Sequence, residues 1–240
     1  MNGFVLAAGF GKRMGTLTTN TPKPLLKIQS ISLLDYSLYL LHLWKIKQVW
    51  INVHYLSEQI TQHLLPFKGF PIHIAEEKTE ILGTAGGIRT ALPEELYAEP
   101  ILLINPDTLF FPKSGFTPKL SLTSGSKIHL YLLPAPEGQN YTKIYIQKDN
   151  TLKFGEGTFY YIGLAILDPT CLVTLEKHKY YDLSDTFKEC SEKGQITGEI
   201  FPGEVLDLGT KELWDSYQTK DVFGKELEKI QCFLRSSYMA

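Results

Sequence analysis

Two short segments of this 240-residue chain carry residue types that could hold a phosphate. The first is Leu6-Ala7-Ala8-Gly9-Phe10-Gly11-Lys12-Arg13-Met14-Gly15, directly after an apolar run. Its glycines let backbone N–H groups approach an anion closely, and Lys12 and Arg13 neutralise charge. The second is Thr21-Pro22-Lys23-Pro24-Leu25-Leu26, in which two prolines stiffen the backbone around one lysine. A point cation held that way suits a phosphate oxygen. Taken singly, each segment also suits a blander reading: a glycine turn between strand and helix, and a surface turn with a solvated lysine.

Carboxylates supply the complementary chemistry. Asp107, in Asn105-Pro106-Asp107, follows the apolar run Ile101–Ile104, which puts it at the carboxyl edge of a parallel strand, where open α/β sheets bind ligands. A hard oxygen donor there suits Mg²⁺, which takes one or two protein carboxylates and completes its shell with phosphate and water. Asp207 is a second candidate, or else a turn residue three positions before Thr210, the natural cap of a helix over Lys211–Tyr217.

Other chemistries are excluded by what stands at the key positions. A Walker A loop fails because Arg13 follows Lys12 and Leu6 occupies the place of its first glycine. A dinucleotide fingerprint fails because Met14 replaces its third glycine, and Asn52-Val53-His54 ends the second strand without an acid. The histidines show no metal-binding spacing, and no Gly-x-Ser-x-Gly elbow occurs.

These residues need a scaffold, and the hydropathy pattern describes one. Short apolar runs at Phe4–Ala8, Val49–Val53, Ile72–Ala75, Ile101–Ile104 and Ile128–Leu133 read as strands. Helical stretches at Leu33–Trp44, Leu56–Leu65 and Ala85–Leu92 alternate with them, the first opened by a capping box from Ser32 to Asp35. Later runs at Lys143–Gln147, Thr151–Phe154 and Phe159–Leu167 read as consecutive strands. Helical segments towards Cys190, two short strands within Gly194–Asp207, and helices over Lys211–Tyr217 and Lys225–Leu234 follow. The expected fold is a Rossmann-like, doubly wound α/β sheet, mixed but mainly parallel, with a small antiparallel lid. A single domain over residues 1–240 is expected, with a change of pattern after residue 110.

Composition narrows the partners. With 24 Lys+Arg against 26 Asp+Glu there is no cationic excess for nucleic acid. No apolar stretch reaches the ~20 residues of a membrane span, and no basic leader opens the chain. Three unpaired, widely spaced cysteines, Cys171, Cys190 and Cys232, read as reduced thiols, so a cytoplasmic location is expected.

The combination of Leu-Ala-Ala-Gly-x-Gly-x-Arg-Met with Thr-Pro-Lys-Pro-Leu resembles the sugar-1-phosphate nucleotidyltransferases. The resemblance continues through Leu82-Gly83-Thr84-Ala85-Gly86-Gly87-Ile88, the family's base-binding element, then Asn105-Pro106-Asp107 and Val205-Leu206-Asp207-Leu208-Gly209-Thr210. In length and in its Gly198-Glu199 approach to Asp207, the chain is similar to the small bacterial branch that includes N-acetylmuramate-1-phosphate uridylyltransferase.

The resemblance implies transfer of a nucleotidyl group, with UTP favoured, to a sugar-1-phosphate, with residues 1–110 mainly binding NTP and residues 111–240 mainly binding the sugar-phosphate. It implies Arg13, Lys23 and Asp107 as catalytic residues, and Mg²⁺ on Asp107 and Asp207. Nucleotide contacts fall on Leu6, Ala8, Gly9, Gly11, Lys12, Arg13, Lys78, Gly83 and Thr84. Sugar-phosphate contacts fall on Asn105, Glu156, Tyr161 and Gly163. NTP and sugar-1-phosphate are then the partners, with the chain a monomer or homodimer.

Several positions depart from the family pattern. Pro106 replaces a common glycine, Lys78 stands near a base-reading glutamine, and Tyr161 replaces a sugar-contacting asparagine. A Glu-Lys-Pro element is missing between Gln139 and Gly163, for which Lys143, Lys153 or Glu156 are the candidate substitutes. The C-terminal hexapeptide β-helix of longer relatives is not expected, since no such repeat precedes Ala240. Two other readings stand beside this one: a cytidylyltransferase acting on an alcohol phosphate such as phosphocholine, and a non-catalytic NDP-sugar-binding regulator.

Overall fold

A computed structural model describes residues 1–136, 138 and 141–238. The segment lacking the Glu-Lys-Pro element therefore begins, at Gln139, outside the described residues. In chain order the elements begin with β1 (Asn2–Leu6), β2 (Lys27–Ile28), β3 (Ile31–Ser32), α1 (Leu33–Leu43), β4 (Val49–Val53), α2 (Ser57–Leu64), β5 (Ile72–Glu76) and α3 (Gly83–Ala91). Then come β6 (Ile101–Ile104), β7 (Thr108–Pro112), β8 (Ile128–Pro134), β9 (Ile144–Ile146), β10 (Leu152–Phe154) and β11 (Phe159–Leu167). The chain closes with α4 (Leu183–Glu192), β12 (Ile196–Ile200), β13 (Gly203–Asp207), α5 (Lys211–Tyr217) and α6 (Glu226–Tyr238). The architecture is Rossmann-like α/β, with parallel strands, helices and small antiparallel ladders.

One unit is assembled from Gly3–Ile81, Asn105–Phe110 and the chain from Val205 onward. Its strands β1, β4 and β5 are parallel, with Gly3 opposite Val49 and Val49 opposite Ile72. Every residue of β4 is buried, as its apolar sequence requires of a central strand. Helix α1 is apolar nearly all round, and Leu33, Leu34, Leu38, Leu40 and Leu41 are all at most 2% exposed, as befits an interior helix. Its start follows the expected capping box: Asp35 N–H donates to Ser32 Oγ at 3.0 Å and Ser32 Oγ donates back to the Asp35 carboxylate at 2.7 Å.

The same carboxylate ties two further helices. His63 Nε2 of α2 lies 2.9 Å from Asp35 Oδ1, and Tyr238 OH of α6 donates to that oxygen at 2.7 Å. Burial pushes the Asp35 pKa up, but His63, Tyr238 and Ser32 outweigh it and hold the carboxyl below its ordinary 3.8.

The other unit comprises Met1–Asn2, Leu82–Ile104 and Phe111–Glu204. Strand β11 is its spine, antiparallel to both β6 and β8, while β12 runs parallel to β8. The β9–β10 hairpin is the small antiparallel ladder, joined to β11 where Phe159 faces Ile144. Leu102, Leu103, Leu130, Tyr131, Leu132, Leu164 and Ile166 are fully buried and form its core. Continuous apolar runs marked these strands but not their directions, because a strand buried on both faces reads the same either way.

This division interleaves the chain, whereas the sequence reading divides it by motif at residue 110. Three features were not expected: the 3₁₀ turns Lys12–Thr18 and Lys23–Leu25, the β2–β3 hairpin, and the β7–β13 ribbon. The 3₁₀ turns and the β2–β3 hairpin are too short to produce a hydrophobic period, and the pairing of β7 with β13 joins stretches about a hundred residues apart.

Candidate active site

The glycine loop is shaped at Gly11, a position that only glycine fills without strain. Gly11 has φ +65°, and a Cβ there would stand 2.9 Å from Thr18 Cγ2 and 3.2 Å from Lys23 Cβ. Both the dihedral and the space demand glycine. Beyond it the chain turns through Lys12–Thr18, with Met14 N–H donating to Gly11 O at 2.8 Å and Thr18 Oγ1 to the same carbonyl at 3.1 Å. Gly9 is exposed with open space beside its Cα, as are Lys12 and Arg13, so this face of the loop is open to an anion. The Arg13 guanidinium lies over Gly209, where a Cβ would approach its two terminal nitrogens to 3.4 and 3.5 Å.

Lys23 is held as its flanking prolines suggest. Pro22 and Pro24 are buried with it, and its side chain is only 11% exposed. Its ammonium meets Asp107 Oδ2 at 2.6 Å. Asp107 leaves β6 through a turn closed by Thr108 N–H on Asn105 O at 3.3 Å, with Pro106 in its second position. Proline is favoured there because that N–H has no part in the turn, which accounts for Pro106 in place of glycine.

The β7–β13 ribbon then brings the backbone that carries the second carboxylate alongside, since Leu208 N–H donates to Asp107 O at 2.9 Å. Asp207 Oδ1 accepts from Gly209 N–H at 2.7 Å, which orients its carboxylate. Arg13, Lys23, Asp107 and Asp207, four residues drawn from three distant stretches, therefore belong to one unit. Asn105, also there, has a buried Oδ1 with no hydrogen-bond partner. Lys78 is exposed beyond β5.

Apart from Lys78 and Asn105, the residues assigned to base and sugar belong to the other unit. Gly83, at φ +69°, starts α3, and a Cβ there would come 2.5 Å from Tyr181 O. Ala85 and Gly86 N–H groups donate to that carbonyl at 3.0 and 3.2 Å, and Thr84 Oγ1 accepts from Leu183 N–H at 2.8 Å. The glycine-rich motif thus seats the chain entering α4, a demand its sequence does not reveal. Glu156 is exposed between β10 and β11. Gly163, at φ +85°, lies where the β11–β8 register shifts between Tyr161 and Ala165. The Tyr161 hydroxyl is buried without a partner, and burial drives its pKa up.

Sequence reasoning missed the support beneath the loop. Asn52 and Glu77, 3% and 6% exposed, join through Asn52 Nδ2 to Glu77 Oε1 at 2.8 Å. Asn52 Oδ1 accepts from Ala7 N–H at 3.0 Å. Phe10 packs edge-on against His54 and beside Tyr55, whose hydroxyl reaches Thr18 O at 2.9 Å. A polar residue interrupting the apolar β4 was the available signal.

Residues 3–117 match the MobA-like NTP transferase domain family. That match spans a little under half of the chain, and the chain's relatives are sugar-1-phosphate nucleotidyltransferases. The chain is 29% identical over 217 residues to N-acetylmuramate alpha-1-phosphate uridylyltransferase of Neisseria meningitidis serogroup B, covering 88% of this chain and 94% of that protein. With D-glycero-alpha-D-manno-heptose 1-phosphate guanylyltransferase of Aneurinibacillus thermoaerophilus it shares 27% identity over 164 residues, 68% of this chain and 70% of that protein. Among solved structures, the inositol-1-phosphate CTP transferase from T. maritima superposes with a TM-score of 0.73 at 17% identity, covering 96% of each chain. That likeness concerns the fold. No helix among the described residues is long and apolar enough to cross a membrane.

Proposed function

We propose that this chain is a nucleotidyltransferase that moves a nucleotidyl group, from UTP in our reading, onto a sugar-1-phosphate. The new bond joins the sugar-phosphate oxygen to the α-phosphorus of the NTP. The bond from that phosphorus to the bridging oxygen breaks, and pyrophosphate leaves with the bond's electrons. The attacking oxygen is already an anion, so the reaction needs positioning and charge neutralisation and no general base.

The observation that carries this reading is the Lys23–Asp107 pair, a buried cation and a carboxylate set beside Asp207 in the unit that holds the open glycine loop. Lys23 is assigned to the α-phosphate, and Arg13 with the Gly9–Arg13 amides to the departing pyrophosphate. Leu6, Ala8 and Lys78 complete the nucleotide contacts, and Gly83 with Thr84 the base contacts. Asn105, Glu156, Tyr161 and Gly163 take the acceptor.

The donor set also fits a divalent cation. Asp107 and Asp207 offer hard oxygens on hydrogen-bonded stretches of backbone, and no cluster of three His, Cys, Asp or Glu occurs among the described residues. A two-carboxylate site suits Mg²⁺, which leaves most of its shell to phosphate and water, and would neutralise phosphate charge there. The reading places the chain in the cytoplasm, where nucleoside triphosphates are available, as a monomer or homodimer.

The test is pyrophosphate release with Mg²⁺ across four NTPs crossed with sugar-1-phosphates and phosphocholine, with Asp107→Ala as control. Release that needs UTP and one sugar-1-phosphate and vanishes in the control is expected. Turnover confined to CTP and phosphocholine would replace the acceptor, and silence with intact NDP-sugar binding would refute catalysis.

A further inference from the structure

Asn52 is the one polar side chain in β4, and a buried polar group in a central strand is costly unless bonded. Here both ends of the amide are used, and the partners fix which end is which. A backbone N–H can only donate, so Oδ1 faces Ala7; a carboxylate accepts, so Nδ2 faces Glu77. Leu6 stands opposite Asn52 in the β1–β4 register, so Ala7 is the first residue past the sheet edge. Glu77 holds the corresponding place after β5, where its N–H continues the ladder to Val53 O at 2.8 Å. His54 Nδ1 reaches Glu77 O at 2.5 Å, which requires a proton on Nδ1, and its ring carries Phe10 of the loop.

We infer that Asn52, oriented by Glu77, is a positioning residue that holds Ala7 and so presets the Ala7–Arg13 loop for the triphosphate. The role rests on the transferase reading, because the loop's assignment to phosphate comes from it. The physical reason is preorganisation. A loop whose amides already point at the anion loses little freedom on binding it. A loop released at Ala7 must be ordered by the substrate itself.

The polarity of the relay supplies the test. Asn52→Asp removes the donor and sets a carboxylate against Glu77. Glu77→Gln alone keeps an oxygen to accept from Asn52, and is nearly silent. The double variant N52D/E77Q reverses the donor and acceptor, letting the introduced glutamine amide donate to the new carboxylate while Ala7 keeps its acceptor. Amide hydrogen exchange over residues 7–13 and steady-state kinetics are measured on the full chain in all four forms. N52D is expected to lose protection there and about tenfold in kcat/KM for the NTP, with the KM for the sugar-1-phosphate unchanged and both losses largely recovered in the double variant. Unchanged exchange in N52D, or a double variant no better than N52D, overturns the inference. If the wild type releases no pyrophosphate, the transferase reading falls alone, and exchange still decides whether Asn52 orders the loop.

Discussion

In the parallel unit, Asn52 is bonded at both ends of its amide and Lys23 is paired with Asp107. In the mixed unit, the Tyr161 hydroxyl and His129 Nε2 are buried without hydrogen bonds. His129 lies 4% exposed on β8, with Nδ1 3.0 Å from Thr197 Oγ1 and Glu199 3.7 Å from Nε2. Most buried polar groups in folded proteins are satisfied, so where partners are supplied is informative. The parallel unit spends its polar residues on fixing a loop and a charged pair. The mixed unit is held by apolar strands and tolerates orphans among them. Among the described residues of the parallel unit Asn105 Oδ1 is such an orphan, and it sits two residues before Asp107.

The sharpest way to break this contrast is to remove the charged pair. Lys23→Ala is expected to lower kcat about 10²–10³-fold. It should also lower stability by about 3 kcal/mol, because Asp107 is left partly buried and unpaired. Pyrophosphate release and denaturant unfolding check the two parts. Leu130→Ala, in the core of the mixed unit, should cost a similar ~3 kcal/mol from the cavity alone while leaving kcat per folded molecule unchanged. A large kinetic loss there would erase the distinction between the units.

Gly11→Ala comes next. A positive φ and the 2.9 Å approach to Thr18 put its cost at about 1–2 kcal/mol, with a rise in KM for the NTP, measured by thermal unfolding and kinetics. Acid should then separate the units. Burial first, then the Lys119 charge, push His129 below its ordinary 6.5, against the opposing pull of Glu199. A histidine kept neutral by folding stabilises above its unfolded pKa, and the contribution falls away as pH drops below 6.5 towards the folded value. The Asp35 carboxyl, held below 3.8, keeps its contribution until pH falls through that range. Hydrogen-exchange protection should therefore weaken in β8 once pH falls below 6.5, before it weakens in α1. The smallest effect is expected from Tyr161→Phe, which removes an unpartnered hydroxyl and should raise stability by at most about 1 kcal/mol. A raised KM for the sugar-1-phosphate in that variant would show the hydroxyl spent on substrate.

Much of this was legible beforehand where the physics is local. The capping box of α1, the apolar β4 and β6 and the proline-flanked Lys23 all came out as their sequences indicated. The Gly83–Gly87 motif read as a ligand element, yet its glycines also answer to Tyr181 and Lys179, almost a hundred residues away. The antiparallel direction of β11 against β6 and β8 was equally out of reach, because a strand buried on both faces carries no mark of its neighbours' direction.

Residue type and spacing along the chain determined which groups could meet phosphate or a cation, since glycine torsions, proline stiffness and charge belong to the residues themselves. That Lys23 lies at 2.6 Å from Asp107, that Asp207 runs beside it on the ribbon, and that Asn52 reaches Ala7 depended on strands brought together across 84, 100 and 45 positions of chain. Such contacts follow from burying apolar sheet faces together, a non-directional force that leaves no signature at the polar residues it aligns.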